Sequence, residues 1–546
     1  MRASVVDVRV SEALEEAKAQ LNRFSRANPR LADLPEWVGS FRPWQREAVD
    51  DILNSFTRCD LVILDAPTGS GKTLIAETVR RLLGVGSCLY VCNSKSLQSQ
   101  FLKDYPYGRL LQGRSNYPTQ RFPQRFNSNN YLTQLSCADC TKTNPSGCQW
   151  CDSPGTCPYE RAKREGLSSN LTVLNTAYFL TEANGPGRFS GRGLVVLDEC
   201  DTLERELMSY VECQISPRRM ARLGLDSPEK VTVASSWLKW LGEAIQAVSS
   251  YKSSLPSLPT QPADIRESKA VNSLQTSLRR IRNNLMADPE SWVYTGLDNY
   301  VGFKPSHVAS LAKEALWKHG KKFLLMSGSV ISAEELIQSL GWESNYETCK
   351  IPSTFPKENR PVYVRPSGNM SRSVNDRAGI RDGIAKVLDE GEPGSNVLVH
   401  TVSYDLTKYL AEQDWDREVL SYNSSDQRSD ILRRVYSNPG GGLLLAPSFD
   451  RGIDLPDDLC RIQIVAKVPF PNLGDRQVGA RLHSAGGQQW YNVQTARSLI
   501  QMTGRGVRHK EDWCRTYILD TQFIKFWKQN KYLFPEWWAD ALVWRL

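Results

Sequence analysis

Residues Ala66-Pro67-Thr68-Gly69-Ser70-Gly71-Lys72-Thr73 are of the types that cradle a phosphate. The glycines let the backbone turn tightly enough for its N–H groups to converge on an anion, and a following helix adds its N-terminal partial charge. In such a loop Thr68, Gly69, Ser70 and Gly71 line the cradle, Lys72 reaches the β- and γ-phosphates of a nucleoside triphosphate, and the Thr73 hydroxyl holds Mg²⁺. The usual pattern opens on Gly, where this chain has Ala66. Apolar Leu61 to Leu64 before the loop reads as a buried strand and Leu74 to Leu83 after it as a helix, a context that separates a nucleotide loop from an ordinary turn.

Asp198-Glu199 follows a second apolar run, Gly193 to Leu197. A carboxylate at the end of that strand can hold Mg²⁺ opposite the phosphate loop, and its neighbour can orient and deprotonate an attacking water. Alone, the pair could be an acidic turn closing a strand; beside the phosphate loop it points to hydrolysis. Far downstream, Gln501-Met502-Thr503-Gly504-Arg505-Gly506-Val507-Arg508 puts two arginines three apart, on one face of a helix. Arginine's planar fork suits γ-phosphate oxygens, although the same spacing also makes an ordinary solvated basic face. If these arginines complete the site, the nucleotide lies between two domains and hydrolysis must open and close a cleft.

Five of the 13 cysteines, Cys137, Cys140, Cys148, Cys151 and Cys157, fall within 21 positions. The stretch from Gly113 to Cys157 is rich in Asn, Pro, Ser and Gly, too long for a plain loop and too polar for a core of its own. Cys137-x2-Cys140-x7-Cys148-x2-Cys151 has zinc spacing, and four thiolates also suit a [4Fe–4S] cluster. Nearby, Arg109, Arg114, Arg121 and Arg125 alternate with Tyr117, Phe122 and Phe126. That mixture can pair phosphates and stack bases, or simply be a solvated loop with a few packing rings.

Positioning such residues takes alternating strands and helices. Leu89 to Cys92 reads as the strand after the phosphate-loop helix, and residues 11–24 as an amphipathic helix. Residues 205–315 are mostly helical in pattern, with Trp237, Leu241, Ile245 and Val248 on one face and Val271, Leu274, Leu278, Ile281 and Leu285 on another. A second α/β domain begins near Pro361, with strands at Val397 to Val399, Gly442 to Leu445 and Ile462 to Val465. The aromatic end, residues 536–544, reads as core packing.

At 546 residues the chain is too long for a single core. No apolar run spans a bilayer and the N-terminal residues lack the apolar segment of a secretion signal, which predicts an intracellular, cytoplasmic protein (nuclear in a eukaryote) without a membrane partner. A net charge of +8 permits a polyanionic partner without demanding one. In a reducing compartment the cysteines are not a disulfide framework.

Taken together, Ala66 to Thr73, Asp198-Glu199-Cys200-Asp201, Met326-Ser327-Gly328-Ser329, Phe449 to Asp454 and Gln501 to Arg508 resemble, in order, motifs I, II, III, V and VI of superfamily 2 helicases. Gly113 to Tyr117, the cysteines, Cys157-Pro158-Tyr159, Ser353-Thr354-Phe355 and Val465 to Phe470 resemble the iron–sulfur branch, the XPD/DinG-like DNA helicases. The resemblance runs from about Phe41 to Asp520. It implies an α/β fold of two RecA-like motor domains, with an iron–sulfur insertion and a helical arch insertion in the first. The implied division is motor domain 1 at 1–112, 164–204 and 316–350, iron–sulfur domain at 113–163, arch at 205–315 and motor domain 2 at 351–546. It further implies that Gln45 contacts adenine, Lys72 and Thr73 bind phosphate and Mg²⁺, Asp198 binds Mg²⁺, and Glu199 is the general base. Gln501, Arg505 and Arg508 would face the γ-phosphate with Arg508 as the finger, while Ser327 and Asp454 would couple hydrolysis to strand movement. Arg114 and Tyr117 would meet DNA.

The implied cofactors are ATP, Mg²⁺ and a [4Fe–4S] cluster, with zinc the alternative occupant. Cys148, Cys151 and Cys157 plus either Cys137 or Cys140 would hold the cluster. The implied partners are single-stranded DNA and forked or tailed duplexes, unwound 5′→3′, with a monomer the simplest state. Two departures stand out. The fourth position of motif II is usually His and here is Asp201; and no cysteine follows Tyr117 closely, the nearest being Cys137. Two rival functions remain at this level: a motor-coupled nuclease, for which no separate carboxylate cluster is apparent, and a zinc-containing nucleic-acid clamp switched by ATP without unwinding.

Overall fold

Strands rich in Leu, Val and Ile on both faces call for a parallel sheet covered by helices on each side. The first sheet meets that expectation, with strands ordered Tyr346–Lys350, Leu61–Asp65, Gly320–Ser327, Arg192–Asp198, Cys88–Cys92, Leu171–Asn175 and Arg109–Leu110. All its neighbours pair in parallel. Ile63, Val91, Leu197 and Leu325 pack on one face, and Leu64, Tyr90, Val196 and Met326 on the other. The computed structural model describes residues 34–119, 124–126, 132–140, 142–143, 147–148, 156–185, 187–228, 232–257, 261–297, 300–353, 355–391, 394–422, 425–437, 440–447, 455, 457–504, 507 and 511–545. The amphipathic helix expected at 11–24 lies outside them.

Register decides where the chemistry sits. Asp65 pairs with Ser327, and Met326 with Asp198, so three adjacent strands end together. The phosphate loop, the acidic pair and the Ser327 segment therefore share the carboxyl edge of the sheet, the usual ligand side of an open α/β fold. A second parallel sheet follows, ordered Val419–Ser421, Leu443–Ala446, Val397–His400, Ile462–Val465, Arg515–Asp520, Val362–Gly368 and Leu542–Trp544. The three strands read from the sequence lie side by side in it. The aromatic end is only partly core: Trp538 is buried in the short helix Glu536–Ala539, while Trp544, on the edge strand, is exposed.

Between the strands Arg192–Asp198 and Gly320–Ser327, the helices Ala234–Ser254 and Pro262–Ala287 lie along one another. Trp237, Leu241 and Val248 face Val271, Leu278, Ile281 and Leu285, the stripes set by helical spacing. The stretch is less helical than its sequence pattern suggests. Cys213–Ile215, Tyr300–Pro305 and Trp292–Leu297 form an antiparallel sheet that caps the helix pair through Trp292, Val301 and Phe303. These strands are too short for their two-residue period to stand out in a helical surrounding. Among the described residues no helix is long and apolar enough to cross a membrane.

Candidate active site

The phosphate loop leaves its strand with the Ala66 N–H donating to the Ser327 carbonyl (3.0 Å), and Gly69 and Gly71 take φ of +80° and +86°. Only glycine enters those conformations cheaply, and each has a second reason to lack a side chain. A Cβ on Gly71 would fall 2.2 Å from Gln45 Nε2, and one on Gly69 2.4 Å from the Phe355 ring, which arrives from the start of the second α/β domain. Lys72 opens the helix Lys72–Leu82, its Nζ donating to the Ala66 carbonyl (3.1 Å). Thr68 is exposed and Ser70 buried. Gln45 braces the loop from beneath, donating through Nε2 to the Ser70 carbonyl (3.0 Å) and accepting from the Arg42 N–H (3.0 Å).

Asp198 is buried at the end of its strand. Its Oδ2 accepts from the Tyr90 hydroxyl (2.7 Å) and its Oδ1 from the Glu199 N–H (3.0 Å). Burial raises the Asp198 carboxyl above its ordinary range, opposed first by the charge of Lys72, which therefore faces the same pocket. Glu199 has φ of +54°, a strained conformation for a residue with a side chain and one that clusters at active sites.

The Asp201 departure is accommodated by donors. Its carboxylate accepts from Ser327 Oγ (2.8 Å), Ser329 Oγ (3.3 Å) and Gln501 Nε2 (2.6 Å), and the same Gln501 amide reaches Ser329 Oγ (2.7 Å). Gln501 stands on the helix Gly487–Thr503 of the second domain, so this network joins the segments around Asp201, Ser327 and Gln501 across the seam between the sheets. Gln501 Oε1 is buried without a hydrogen-bond partner. One turn earlier, Arg497 donates to the carbonyls of Ser329 (3.1 Å) and Val330 (3.2 Å). Arg505, Arg508 and Asp454 lie outside the described residues.

The cysteine stretch resolves its own departure in part. Pro118 and Ser136 pair antiparallel, as do Gln124–Phe126 and Leu132–Gln134, which carries the chain back so that the Cys137 N–H donates to the Tyr117 carbonyl (2.8 Å). Cys137 thus lies beside Tyr117 in space though not in sequence. The Cys137 and Cys157 sulfurs are 3.7 Å apart, and Cys140 Sγ donates to the Cys137 carbonyl (3.2 Å). All three are buried. The Cys148 side chain and Cys151 lie outside the described residues. Among the described residues no group of three or more potential ligands is gathered tightly enough to hold a metal ion. Arg114 and Tyr117 turn largely inward: Arg114 Nε donates to the Cys137 carbonyl (3.0 Å), its guanidinium lies over Tyr159, and the Tyr117 hydroxyl accepts from the Gln112 N–H (3.1 Å).

Sequence reasoning missed Tyr90 and Arg497 and gave Ser329 no role beyond its place in the Met326 to Ser329 stretch. Tyr90 was legible only as a polar tip within a buried strand, and Arg497 as a charge four residues before Gln501 on one helix face.

Two family models match. Residues 39–206 match the Type III restriction enzyme, res subunit, and residues 386–541 the Helicase C-terminal domain. The Fanconi anemia group J protein homolog of Gallus gallus is 34% identical over 172 residues, 26% of this chain and 14% of that protein. The ATP-dependent DNA helicase DinG of Photobacterium profundum is 24% identical over 276 residues, 44% of this chain and 39% of that protein. The chain thus spans well under half the length of these curated relatives. A solved XPD helicase superposes over 93% of this chain and 100% of its own with a TM-score of 0.58 at 16% identity. Xpd4 of S. tokodaii covers 92% and 100% with a TM-score of 0.55 at 15% identity, which establishes a shared fold.

Proposed function

From the similarity of this chain to the XPD/DinG-like branch of the superfamily 2 helicases, we infer that it is an ATP-dependent DNA helicase that moves along one strand and parts the duplex ahead of it. The observation that carries this reading is the hydrogen-bonded set of Gln501, Asp201, Ser327 and Ser329, through which both motor domains meet beside the phosphate loop.

Lys72 leaves the Ala66 carbonyl for the β- and γ-phosphates of ATP, held by the loop from Thr68 to Gly71, with Gln45 on the adenine side. Thr73 and Asp198 would hold Mg²⁺, which would neutralise charge developing on the phosphates. Glu199 aligns the attacking water and takes its proton. Gln501 Oε1 supplies a buried acceptor for that water, and Arg505 and Arg508 stabilise the transferring phosphoryl group, Arg508 as the finger. Ser327 and Asp454 relay the change to the DNA track. ATP closes the cleft between the domains and product release reopens it, and alternating grip on the phosphate backbone makes steps along a strand. Residues 113–163 act as the wedge and 205–315 as the arch, which with motor domain 1 encircle the strand. The substrate is single-stranded DNA and forked or tailed duplex, travelled 5′→3′.

The buried thiols of Cys137 and Cys157 suit a [4Fe–4S] cluster that these two would hold together with Cys148 and Cys151, leaving Cys140 beside Arg114. The cluster, when bound, supplies the core that so polar a module lacks. One observation favours zinc instead: 3.7 Å between the Cys137 and Cys157 sulfurs matches the edge of a thiolate tetrahedron about 2.3 Å from one ion. Metal analysis with a visible spectrum of anaerobically purified protein separates the two. Iron with broad visible absorption supports the cluster; one colourless zinc supports the other. The hydrolytic reading is tested by ATP turnover with and without single-stranded DNA. Turnover should be stimulated by DNA and be lost in Lys72→Ala; full retention in that variant would overturn the site.

A further inference from the structure

The strand Cys88–Cys92 lies beside Arg192–Asp198, with Tyr90 opposite Val196. A phenol here is an expensive choice, because the neighbouring positions are aliphatic or sulfur and a buried hydroxyl needs a partner. Tyr90 is 3% exposed, and its ring lies on Phe101 with centroids 4.1 Å apart. Its hydroxyl is aimed at the carboxylate expected to meet Mg²⁺. It donates to Asp198 Oδ2 (2.7 Å).

These contacts fix the carboxylate at both ends, since Asp198 Oδ1 is already held by the Glu199 N–H (3.0 Å). Each oxygen keeps a further lone pair for an incoming cation or its water. Tyr90 and Asp198 lie 108 residues apart on neighbouring strands, and the phenol ties them together. We propose that Tyr90 is a positioning residue for the metal side of the site, holding Asp198 in place so that Mg²⁺ arriving with the nucleotide meets a carboxylate already oriented. Groups that orient metal ligands in this way commonly change metal affinity about 10–100-fold when removed. The inference rests on the nucleotide-site reading and names a residue that reading does not require.

Tyr90→Phe removes the hydroxyl and keeps the ring on Phe101. The test compares wild type, Tyr90→Phe and Phe101→Leu by titrating Mg²⁺ in two assays: binding of a fluorescent ADP analogue, and ATP turnover. Tyr90→Phe should raise the half-saturating Mg²⁺ concentration about tenfold in both, move the maximal rate less than that, and leave Mg²⁺-free nucleotide binding within twofold. Phe101→Leu, which disturbs the packing but spares the hydroxyl, should leave the Mg²⁺ requirement within twofold. An unchanged Mg²⁺ dependence in Tyr90→Phe, or an equal shift in both variants, would overturn the role of Tyr90. Failure of the wild type itself to bind nucleotide would instead overturn the site.

Discussion

Asp201 accepts three side-chain hydrogen bonds, from Ser327, Ser329 and Gln501, and is buried. A buried carboxylate among hydroxyl and amide donors is well served, but the donors depend on it in turn. Asp201→Ala leaves three donors facing an apolar methyl, each stranded group costing about 1–3 kcal/mol. That variant should lose at least about tenfold in DNA-stimulated turnover while nucleotide binding at the phosphate loop, which Asp201 does not touch, changes far less. Equilibrium nucleotide binding and steady-state turnover measured side by side check this. The phosphate loop was legible because its residue types are adjacent in the chain. The Asp201 network was legible only as a possibility, because its members stand 126 and 300 residues apart and only the pairing of strands and the packing of domains bring them together. Cys137 teaches the same lesson: an antiparallel return past Pro118 and Ser136 restores it to the side of Tyr117, which no spacing rule reveals.

The helix Gly487–Thr503 does most of the joining at the seam. Trp490, Arg497 and Gln501, spaced by seven and four, share the face turned to the first domain. Trp490 Nε1 donates to Glu204 Oε2 (2.8 Å), while Arg481 Nη2 lies 3.8 Å from Glu204 Oε1 and Arg497 Nη2 3.6 Å from Glu335 Oε2. Next to this cluster Ile331 takes φ of +64° and packs into the core of the second domain, a strained arrangement for a β-branched residue. Burial, reinforced by the Glu335 charge, pushes the Glu204 carboxyl up to about 7 from 4.5. Between those values the folded protein holds a proton that the unfolded chain has released. Its contribution is therefore full below about pH 4.5 and is lost as pH rises through about 7. Thermal melts from pH 5 to 8 should show stability falling, on the order of a few kcal/mol, with Glu204→Gln flattening that slope. Strands and long helices were readable here because burial on both faces or one stripe leaves a strong period. The small antiparallel sheet was not, since strands of three to six residues hide in a helical surrounding.

At the scale of the whole molecule, the helix Pro262–Ala287 reaches the cysteine module. Arg266 Nε donates to Asp139 Oδ1 (2.5 Å), and Lys269 Nζ to the carbonyls of Ala138 and Cys140. The sheet beneath that helix pair meets the second domain through Lys304 and Asp475 (3.2 Å) and through Gln477 Nε2 donating to the Ser306 carbonyl (2.8 Å). Among the described residues, the helix pair thus reaches the cysteine module and the small sheet reaches the second α/β domain. Arg266→Ala with Lys269→Ala should cost little stability, about 1 kcal/mol or less, because both side chains are at least partly solvent-exposed. It should spare ATP turnover on single strands but slow duplex separation severalfold; a strand-displacement assay beside a turnover assay separates the two. The account stands most directly on whether hydrolysis at the seam drives strand separation. Forked duplexes bearing only a 5′ or only a 3′ tail, mixed with the protein, ATP and Mg²⁺, provide that measurement. The 5′-tailed substrate should be unwound, the 3′-tailed one should not, and Lys72→Ala should unwind neither. DNA-stimulated hydrolysis without strand separation on either substrate would contradict the account.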